Sequence, residues 1–263
     1  MAVKCPEGFD VESLRELVQE TYSSVASDPN GDFHFHRGPE YAVEYLNYDR
    51  DELSHIPDTA KARFAGVGNP HLIGEIKEGM TVLDHACGAG MDLLLAARKV
   101  GPTGKAIGVD MTEGMRTFAK MATEEAGLSD IVEIKEGVFE ELPVDDNSVD
   151  VVISNWVVNL SPDKEKVFEE IFRVLKPGGR LFMSDVVVQR ELTLEARSSP
   201  EIWAACIGGA LPEKELPGIC AAAGFNENRI VQHFDCFKNT TAEVKVSKDL
   251  EIQGINFFAQ KPE

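Results

Sequence analysis

Short apolar runs alternate with helical patterns along the middle of the chain. Five runs are typical of strands: 81–84, 105–110, 131–135, 149–154 and 180–188. Apolar residues recur at helical spacing in the stretches between some of them: 91–100, 112–126 and 163–175. The run at 149–154, VDVVIS, is almost continuously apolar, which is typical of a strand that is buried on both faces. This alternation predicts a parallel sheet covered by helices, a doubly wound α/β fold.

The two ends of the chain do not follow this alternation. Residues 1–70 are polar, with helical spacing at 11–22, and we expect a helical N-terminal lid there. Residues 71–190 form the expected core, and 191–263 are a C-terminal extension of the same domain. That extension is expected to add two helices and two closing strands, of which the last could pair antiparallel: 200–210, 213–223, 229–237 and 251–260. The whole predicts a mostly parallel, seven-stranded sheet of Rossmann-like type.

Charge and cysteine content narrow the class of protein. The 263 residues include 45 Asp and Glu but only 26 Lys and Arg, a net charge of −19. This excess argues against nucleic acid and against anionic membranes as partners. The five cysteines are odd in number and irregularly spaced, so we expect neither a disulfide framework nor a metal site. Since the N-terminal residues show neither a signal peptide nor a membrane span, a cytoplasmic location is expected.

Candidate chemistry lies where the predicted strands end, since ligands of open α/β sheets bind at the carboxyl ends of strands. The first strand is followed by small residues from Ala86 to Gly90, which let a ligand approach the backbone. Asp110 ends the second strand, and an acid at this spacing suits a ribose diol. Asn155 ends the fourth. Each has a structural alternative: a packing turn, a solvated acid and a strand stop.

The glycine loop distinguishes between two nucleotide cofactors. The dinucleotide fingerprint GxGxxG would require a third glycine at position 93, but this residue is Leu93. The loop instead reads Cys-Gly-Ala-Gly. It therefore favours S-adenosylmethionine over a nicotinamide cofactor.

Residues 60–225 resemble the class I S-adenosylmethionine-dependent methyltransferases and, within them, the arsenite methyltransferases. The resemblance lies in four motifs: VLDHACGAG at 82–90, GVDMT at 108–112, VVISNWVVNLSPDK at 151–164 and LKPGG at 175–179. It implies that S-adenosylmethionine is the cofactor and S-adenosylhomocysteine the product. The cofactor-binding residues that it implies are Asp84, Ala86, Gly88, Gly90, Asp110, Met111, Val138, Phe139 and Asn155. Ala86 stands where the motif usually has glycine.

The same resemblance implies that the family binds trivalent arsenic through cysteine thiolates. Here Val67 and Trp156 occupy two of the three core cysteine positions, and only Cys206 remains. The family's paired N-terminal cysteines are replaced by a segment with His34 and His36. Efficient arsenite methylation by three thiolates is therefore not expected.

The acceptor pocket has three candidate residues, Trp156, Trp203 and Cys206. Tryptophan faces attract cations and pack apolar molecules, although Trp156 could only fill space and Cys206 could be a buried apolar side chain. The histidines could act as a base or form a surface pair. Three functions follow: a methyltransferase for a small-molecule acceptor, an arsenite methyltransferase using Cys206 with external thiols, or a cofactor-binding protein without transferase activity.

Overall fold

The computed structural model describes residues 4–31, 33, 35–240 and 251–263. The helices in these ranges are α1 (Val11–Ser27), α2 (Gly38–Leu46), α3 (Arg50–Ser54), α4 (Asp58–Lys61), α5 (Met91–Val100), α6 (Glu113–Glu125), α7 (Lys164–Val174), α8 (Leu194–Arg197), α9 (Pro200–Ala204) and α10 (Leu216–Ala222). The strands are β1 (Thr81–Asp84), β2 (Lys105–Asp110), β3 (Val132–Glu136), β4 (Val149–Asn155), β5 (Leu175–Val188), β6 (Leu211–Pro212), β7 (Glu227–Phe234) and β8 (Ile252–Gln260). No helix within these ranges is both long and apolar enough to cross a membrane.

One sheet contains all of these strands, in the order β3-β2-β1-β4-β5-β8-β7, with the short β6 beside β5. Strands β1 to β5 pair in parallel, and β8 runs antiparallel to both β5 and β7. The mostly parallel, doubly wound fold is confirmed. Strand order reverses between β1 and β4, and a ligand cleft is expected at such a switch.

Both faces of the sheet are buried. Successive side chains of a strand point to opposite faces, and each face packs against its own layer of helices. On β1, Val82 packs in a cluster with Val100 of α5. The next residue, Leu83, packs in another cluster with Phe168 and Ile171 of α7. Helices therefore cover the two faces, and the carboxyl ends of the strands are left as the edge where a cavity can open.

Two elements differ from the prediction, one in the C-terminal extension and one in the core. The helix expected at 200–210 ends at Ala204, because Cys206 takes a left-handed backbone conformation and Gly209 packs tightly. A Cβ at Gly209 would lie 1.9 Å from the Asn159 carbonyl oxygen. Strand β5 begins at Leu175 rather than Arg180, since Leu175 pairs with Val149 across a register shift.

The N-terminal helices pack on the core instead of standing apart from it. Asp10 caps the N-terminus of α1 through its Oδ1, which accepts from the Ser13 N–H at 2.9 Å, and the helix lies against α6 and α9. Leu46 and Leu53 of α2 and α3 share a buried cluster with Leu94 of α5. This packing places α1 and the segment after α4 beside the carboxyl ends of the strands.

Candidate functional site

A cavity opens at the carboxyl ends of β1, β2 and β4. Its walls come from α1, from the segment that follows α4, and from the loops after these strands. The lining residues are Val18, Tyr22, Ala60, Arg63, Phe64, Ala65, Asp84, His85, Ala86, Cys87, Gly88, Ala89, Gly90, Met91, Asp92, Asp110, Met111, Thr112, Met115, Gly137, Phe139, Asn155, Trp156, Val157 and Leu160. The cavity therefore lies at the switch in strand order.

The glycine loop after β1 forms one wall. The Gly90 N–H donates to the Cys87 carbonyl at 2.8 Å, and the Cys87 N–H donates to the Val109 carbonyl at 2.9 Å. Gly88 has a φ of 51°, and a Cβ built there meets no atom of the described chain within 4 Å. Because the loop is fixed by backbone bonds but open above Gly88, a ligand can approach its backbone closely.

Asp110 connects this loop to α6. Its Oδ2 accepts from the Gly88 N–H at 2.9 Å, and its Oδ1 accepts from the Thr112 N–H at 2.8 Å. Burial raises the pKa of this carboxyl above its usual value, although these two bonds oppose the rise. The carboxylate is thus held in one orientation at the cavity wall.

Two more carboxyl groups stand on the same side of the cavity. Burial, reinforced by the charges of Asp92 and Asp110, raises the pKa of Asp84 well above its usual range. Asp92 accepts from the Tyr48 hydroxyl at 2.8 Å and from Asn155 Nδ2 at 3.1 Å. This acidic side, defined by Asp84, Asp92 and Asp110, favours a ligand that carries positive charge.

Asn155 ties the loop before the core to the end of β4. Its Nδ2 donates to the Gly68 carbonyl at 3.1 Å, and its Oδ1 accepts from the Val67 N–H at 3.0 Å. The Tyr48 hydroxyl also lies 3.2 Å from this Nδ2. Asn155 lines the cavity, but its polar atoms chiefly hold neighbouring segments in place.

Trp156 follows Asn155 in a strained conformation. Its φ is 63°, and its side chain is 2% exposed. The indole packs edge-to-face on Phe35 with ring centroids 4.9 Å apart. The turn is held by Asp185, whose Oδ2 accepts from the Val157 and Val158 N–H groups at 3.1 and 2.7 Å. A non-glycine residue at such φ costs energy, so the surrounding bonds must maintain it.

Most of the sequence-predicted residues meet at this cavity. Nine of them line it: Asp84, Ala86, Gly88, Gly90, Asp110, Met111, Phe139, Asn155 and Trp156. Val138 does not; it lies in a small adjoining depression that also contacts Met111 and Phe139. Gly137, its neighbour in the chain, lines the cavity instead.

Trp203 and Cys206 lie behind the cavity wall, contrary to their expected place in an acceptor pocket. Trp203 is fully buried, packs against Phe9 in a tilted arrangement with ring centroids 5.0 Å apart, and donates from Nε1 to the Arg197 carbonyl. The Cys206 thiol pairs with the Tyr22 hydroxyl, and burial raises the pKa of this thiol. Tyr22 thus contacts Cys206 and also lines the cavity.

Of the two histidines that the sequence singled out, only His36 can be placed in the structure. His34 lies outside the described residues. His36 donates from Nε2 to the Lys238 carbonyl, 2.6 Å away, and its ring stacks on Tyr41. Its ring is thus used in packing the N-terminal segment.

Sequence reasoning did not identify His85, Tyr22 or Arg63, all of which line the cavity. His85 sits next to Asp84 in the glycine-loop motif, so its position at a strand end was a usable signal. Tyr22 and Arg63 gave no such signal, because α1 and α4 reach the cavity only through tertiary packing.

Comparison with known proteins agrees with this geometry. Residues 76–232 match the family described as "Methyltransferase domain". The arsenite methyltransferase of Halobacterium salinarum is 39% identical over 82% of this chain and 58% of its own length. That of Mus musculus is 31% identical over 94% and 64%. The chain therefore spans less than two thirds of these curated relatives. A crystal structure of an arsenic(III) S-adenosylmethionine methyltransferase from Chlamydomonas reinhardtii is 32% identical, with a TM-score of 0.72, over 81% of this chain and 73% of that one.

The fold and the cavity define a class I methyltransferase domain. The chain belongs to the S-adenosylmethionine-dependent methyltransferases of this class, in the group that is similar to arsenite methyltransferases. The cavity suits that cofactor, because the space above Gly88 is open and the acidic side complements its sulfonium and ammonium charges.

Proposed function

We propose that this protein transfers the methyl group of S-adenosylmethionine to a small-molecule acceptor. The observation that carries the proposal is the cavity at the strand switch, with an acidic side and an open glycine loop. When bound, the cofactor supplies an electrophilic methyl group. The protein has to hold the cofactor, align the acceptor and exclude water, and such positioning contributes roughly 7–11 kcal/mol to lowering a barrier.

The cofactor would be held by the residues around Asp110. This carboxylate is oriented by Gly88 and Thr112 to accept from ribose hydroxyls. Asp84 and Asp92 lie where an ammonium group would be stabilised, and Met111 and Phe139 offer apolar surface for the adenine. Residues 1–70, through Val18, Tyr22 and Phe64, would cover the site as a lid.

We do not expect arsenite to be held at the family's three cysteine positions in this chain. The resemblance places arsenic ligands at positions 67, 156 and 206. Val67, Trp156 and Cys206 do share one buried cluster here, but only one of the three carries sulfur. A single thiolate cannot form a three-sulfur site for a soft trivalent centre.

Calorimetry with S-adenosylmethionine tests the cofactor part of the proposal, and we expect a single binding site. Absence of binding at millimolar concentration would refute it. Binding without turnover over a panel of hydroxyl, thiol and amine acceptors would instead favour a cofactor-binding protein without transferase activity.

A second candidate function is supported by the names of the relatives, which are arsenite methyltransferases. In this version Cys206 binds arsenic together with external thiols such as glutathione. Product analysis with arsenite and glutathione tests it. Methylated arsenic formed by the wild type and lost in Cys206→Ser supports it, whereas turnover unaffected by Cys206→Ser excludes a role for this thiol.

A further inference from the structure

His85 is a buried histidine that neither the fold nor cofactor binding accounts for. Its side chain is 1% exposed, and it lines the cavity beside Phe139, with ring centroids 6.1 Å apart. Within the part of the chain that the structure describes, neither ring nitrogen has a hydrogen-bond partner. A buried polar atom without a partner costs roughly 1–3 kcal/mol. Such a cost points to a ligand group that satisfies it.

A second unpartnered polar atom belongs to the same cavity. Nε1 of Trp156 is buried and has no hydrogen-bond partner among the described residues. The Trp156 backbone is strained and held by Asp185, so the position of the indole is maintained at some cost. An indole N–H can only donate, while a neutral imidazole can both donate and accept.

The charge of the cavity limits what can bind there. Burial lowers the pKa of His85 to about 4, so the ring is neutral at physiological pH. Among the described lining residues, Arg63 is the only lysine or arginine, and its guanidinium is engaged. Its Nε donates to the Ala26 carbonyl at 2.6 Å, and its Nη1 donates to the Thr59 carbonyl at 3.0 Å. Because the described lining offers carboxyl groups and no other lysine or arginine, an anionic acceptor would find no free positive charge to balance its own.

We propose that His85 and Trp156 form a hydrogen-bonding pair that recognises an uncharged methyl acceptor carrying a hydroxyl or thiol group. This inference rests on the proposed function and specifies its substrate class. His85 accepts from the acceptor O–H or S–H, and Trp156 Nε1 donates to a lone pair of the same molecule. Phe139, Val157 and Leu160 of the lining surround the rest with apolar surface.

His85 also receives the proton during transfer. The acceptor heteroatom forms a bond to the methyl carbon with a lone pair, and the carbon–sulfur bond of the sulfonium breaks with its electrons on sulfur. The O–H or S–H bond breaks, its electrons stay on the heteroatom, and the proton bonds to a ring nitrogen of His85. The imidazolium then releases it to water.

Nuclear magnetic resonance of the whole chain labelled with ¹⁵N in histidine and tryptophan tests the pairing. The protein is saturated with S-adenosylhomocysteine and titrated with phenol and with benzyl mercaptan, which are neutral and protic. The matched probes anisole and benzyl methyl sulfide lack the proton, and benzoate adds a charge. We expect the protic probes to shift His85 and Trp156 resonances, with exposed His55 as the internal reference.

Variants separate recognition from folding. We expect His85→Leu to weaken binding of phenol or benzyl mercaptan about ten-fold, the effect of one lost hydrogen bond. His85→Gln keeps an acceptor oxygen and is expected to restore most of this binding but not the rate of methyl transfer. His55→Gln is the matched control. S-adenosylhomocysteine affinity, measured by calorimetry on each variant, reports that the cofactor site is intact.

The outcomes are distinct. If the wild type does not bind S-adenosylhomocysteine, the proposed function and this inference are overturned together. Cofactor binding that persists while the protic probes leave His85 unmoved overturns this inference alone. Equal binding of phenol and anisole, or of benzoate and phenol, also overturns it, because the proposal requires a neutral, protic ligand.

Discussion

The Asp110 carboxylate links the end of β2 to the glycine loop and to the start of α6. Both of its oxygens are oriented by backbone N–H groups, at Gly88 and Thr112, and their remaining lone pairs are available to a ligand. A charged acceptor of this kind makes hydrogen bonds worth about 1.5–3 kcal/mol. The residue therefore links the conformation of the glycine loop to cofactor affinity.

Replacing this carboxylate should weaken cofactor binding without unfolding the chain. We expect Asp110→Asn to reduce the affinity for S-adenosylhomocysteine by about 10- to 100-fold, since an amide can accept at only one of the two positions. Calorimetry measures the change. Glu113→Gln removes an exposed acid nearby and is the control. Equal affinity of Asp110→Asn and the wild type would contradict the assigned role.

Lys164 is a fully buried cation outside the cavity. Its Nζ donates to the Ser161 carbonyl at 2.9 Å and lies 4.4 Å from the centre of the Trp203 ring. Burial lowers the pKa of Lys164 to about 7, although Asp185, Cys5 and Glu140 raise it; Arg197 adds to the lowering. The folded state therefore releases this proton more readily than the unfolded chain.

This shift predicts a pH dependence of stability. Between pH about 7 and the ordinary value of 10.5, the unfolded chain binds one proton more than the folded chain. The free energy of unfolding should therefore rise with pH in this window, by up to about 1.4 kcal/mol per unit. Urea denaturation of wild type and Lys164→Met across this window measures the difference, with the exposed Lys166→Met as control. If the free energy of unfolding changed with pH to the same extent in the wild type and in Lys164→Met, the predicted contribution of Lys164 would be contradicted.

At the scale of elements, buried side chains join segments that are far apart in the chain. Asn256 of β8 accepts from the Asn69 N–H at 3.1 Å and donates from Nδ2 to the Asn69 carbonyl at 2.9 Å. Asn155 does the same for Val67 and Gly68. The loop before the core is thereby joined to the end of β4 and to the middle of β8.

The turn after β4 depends in the same way on Asp185 of β5. We expect Asp185→Asn to lower the free energy of unfolding by about 2–3 kcal/mol. If the amide oxygen takes the place of Oδ2, the amide nitrogen faces two donors, Asn159 Nδ2 and the Val186 N–H, and cannot accept from them. Chemical denaturation measures the loss. The change in near-ultraviolet circular dichroism of the tryptophans reports the turn. Asp130→Asn, at an exposed position, is the control. Unchanged stability would contradict this role of Asp185, because the turn after β4 would then be stable without these hydrogen bonds.

At the scale of the whole molecule, the net charge of −19 works against the compact state. Added salt screens this repulsion, so we expect the melting temperature to rise by several degrees between low and moderate KCl. The rise should level off once the screening length falls to a few ångströms, at about 1 M. Scanning calorimetry over a KCl series measures it, and NaCl should act equally. A melting temperature that falls with salt would show that ion pairs outweigh the repulsion.

The sequence by itself determined the alternation of strands and helices, because hydrophobic periodicity is a local property of the chain. It also determined the edge at which chemistry should lie. Strands β1, β2 and β4 run in parallel, so their last residues, Asp84, Asp110 and Asn155, must lie at one end of the sheet. Where two residues stand at ends of neighbouring strands, sequence order is enough to bring them together.

Only the tertiary structure decided which residues face the cavity and which stand behind its wall. Tyr22 and Arg63 enter the lining because α1 and α4 fold back over the sheet, a contact between segments distant in the chain. Trp203 and Cys206 are withdrawn from it because the glycines at 208 and 209 pack against Trp203 and the turn after β4. Such long-range packing depends on volumes and hydrogen bonds across the whole fold, which no local pattern of residues encodes.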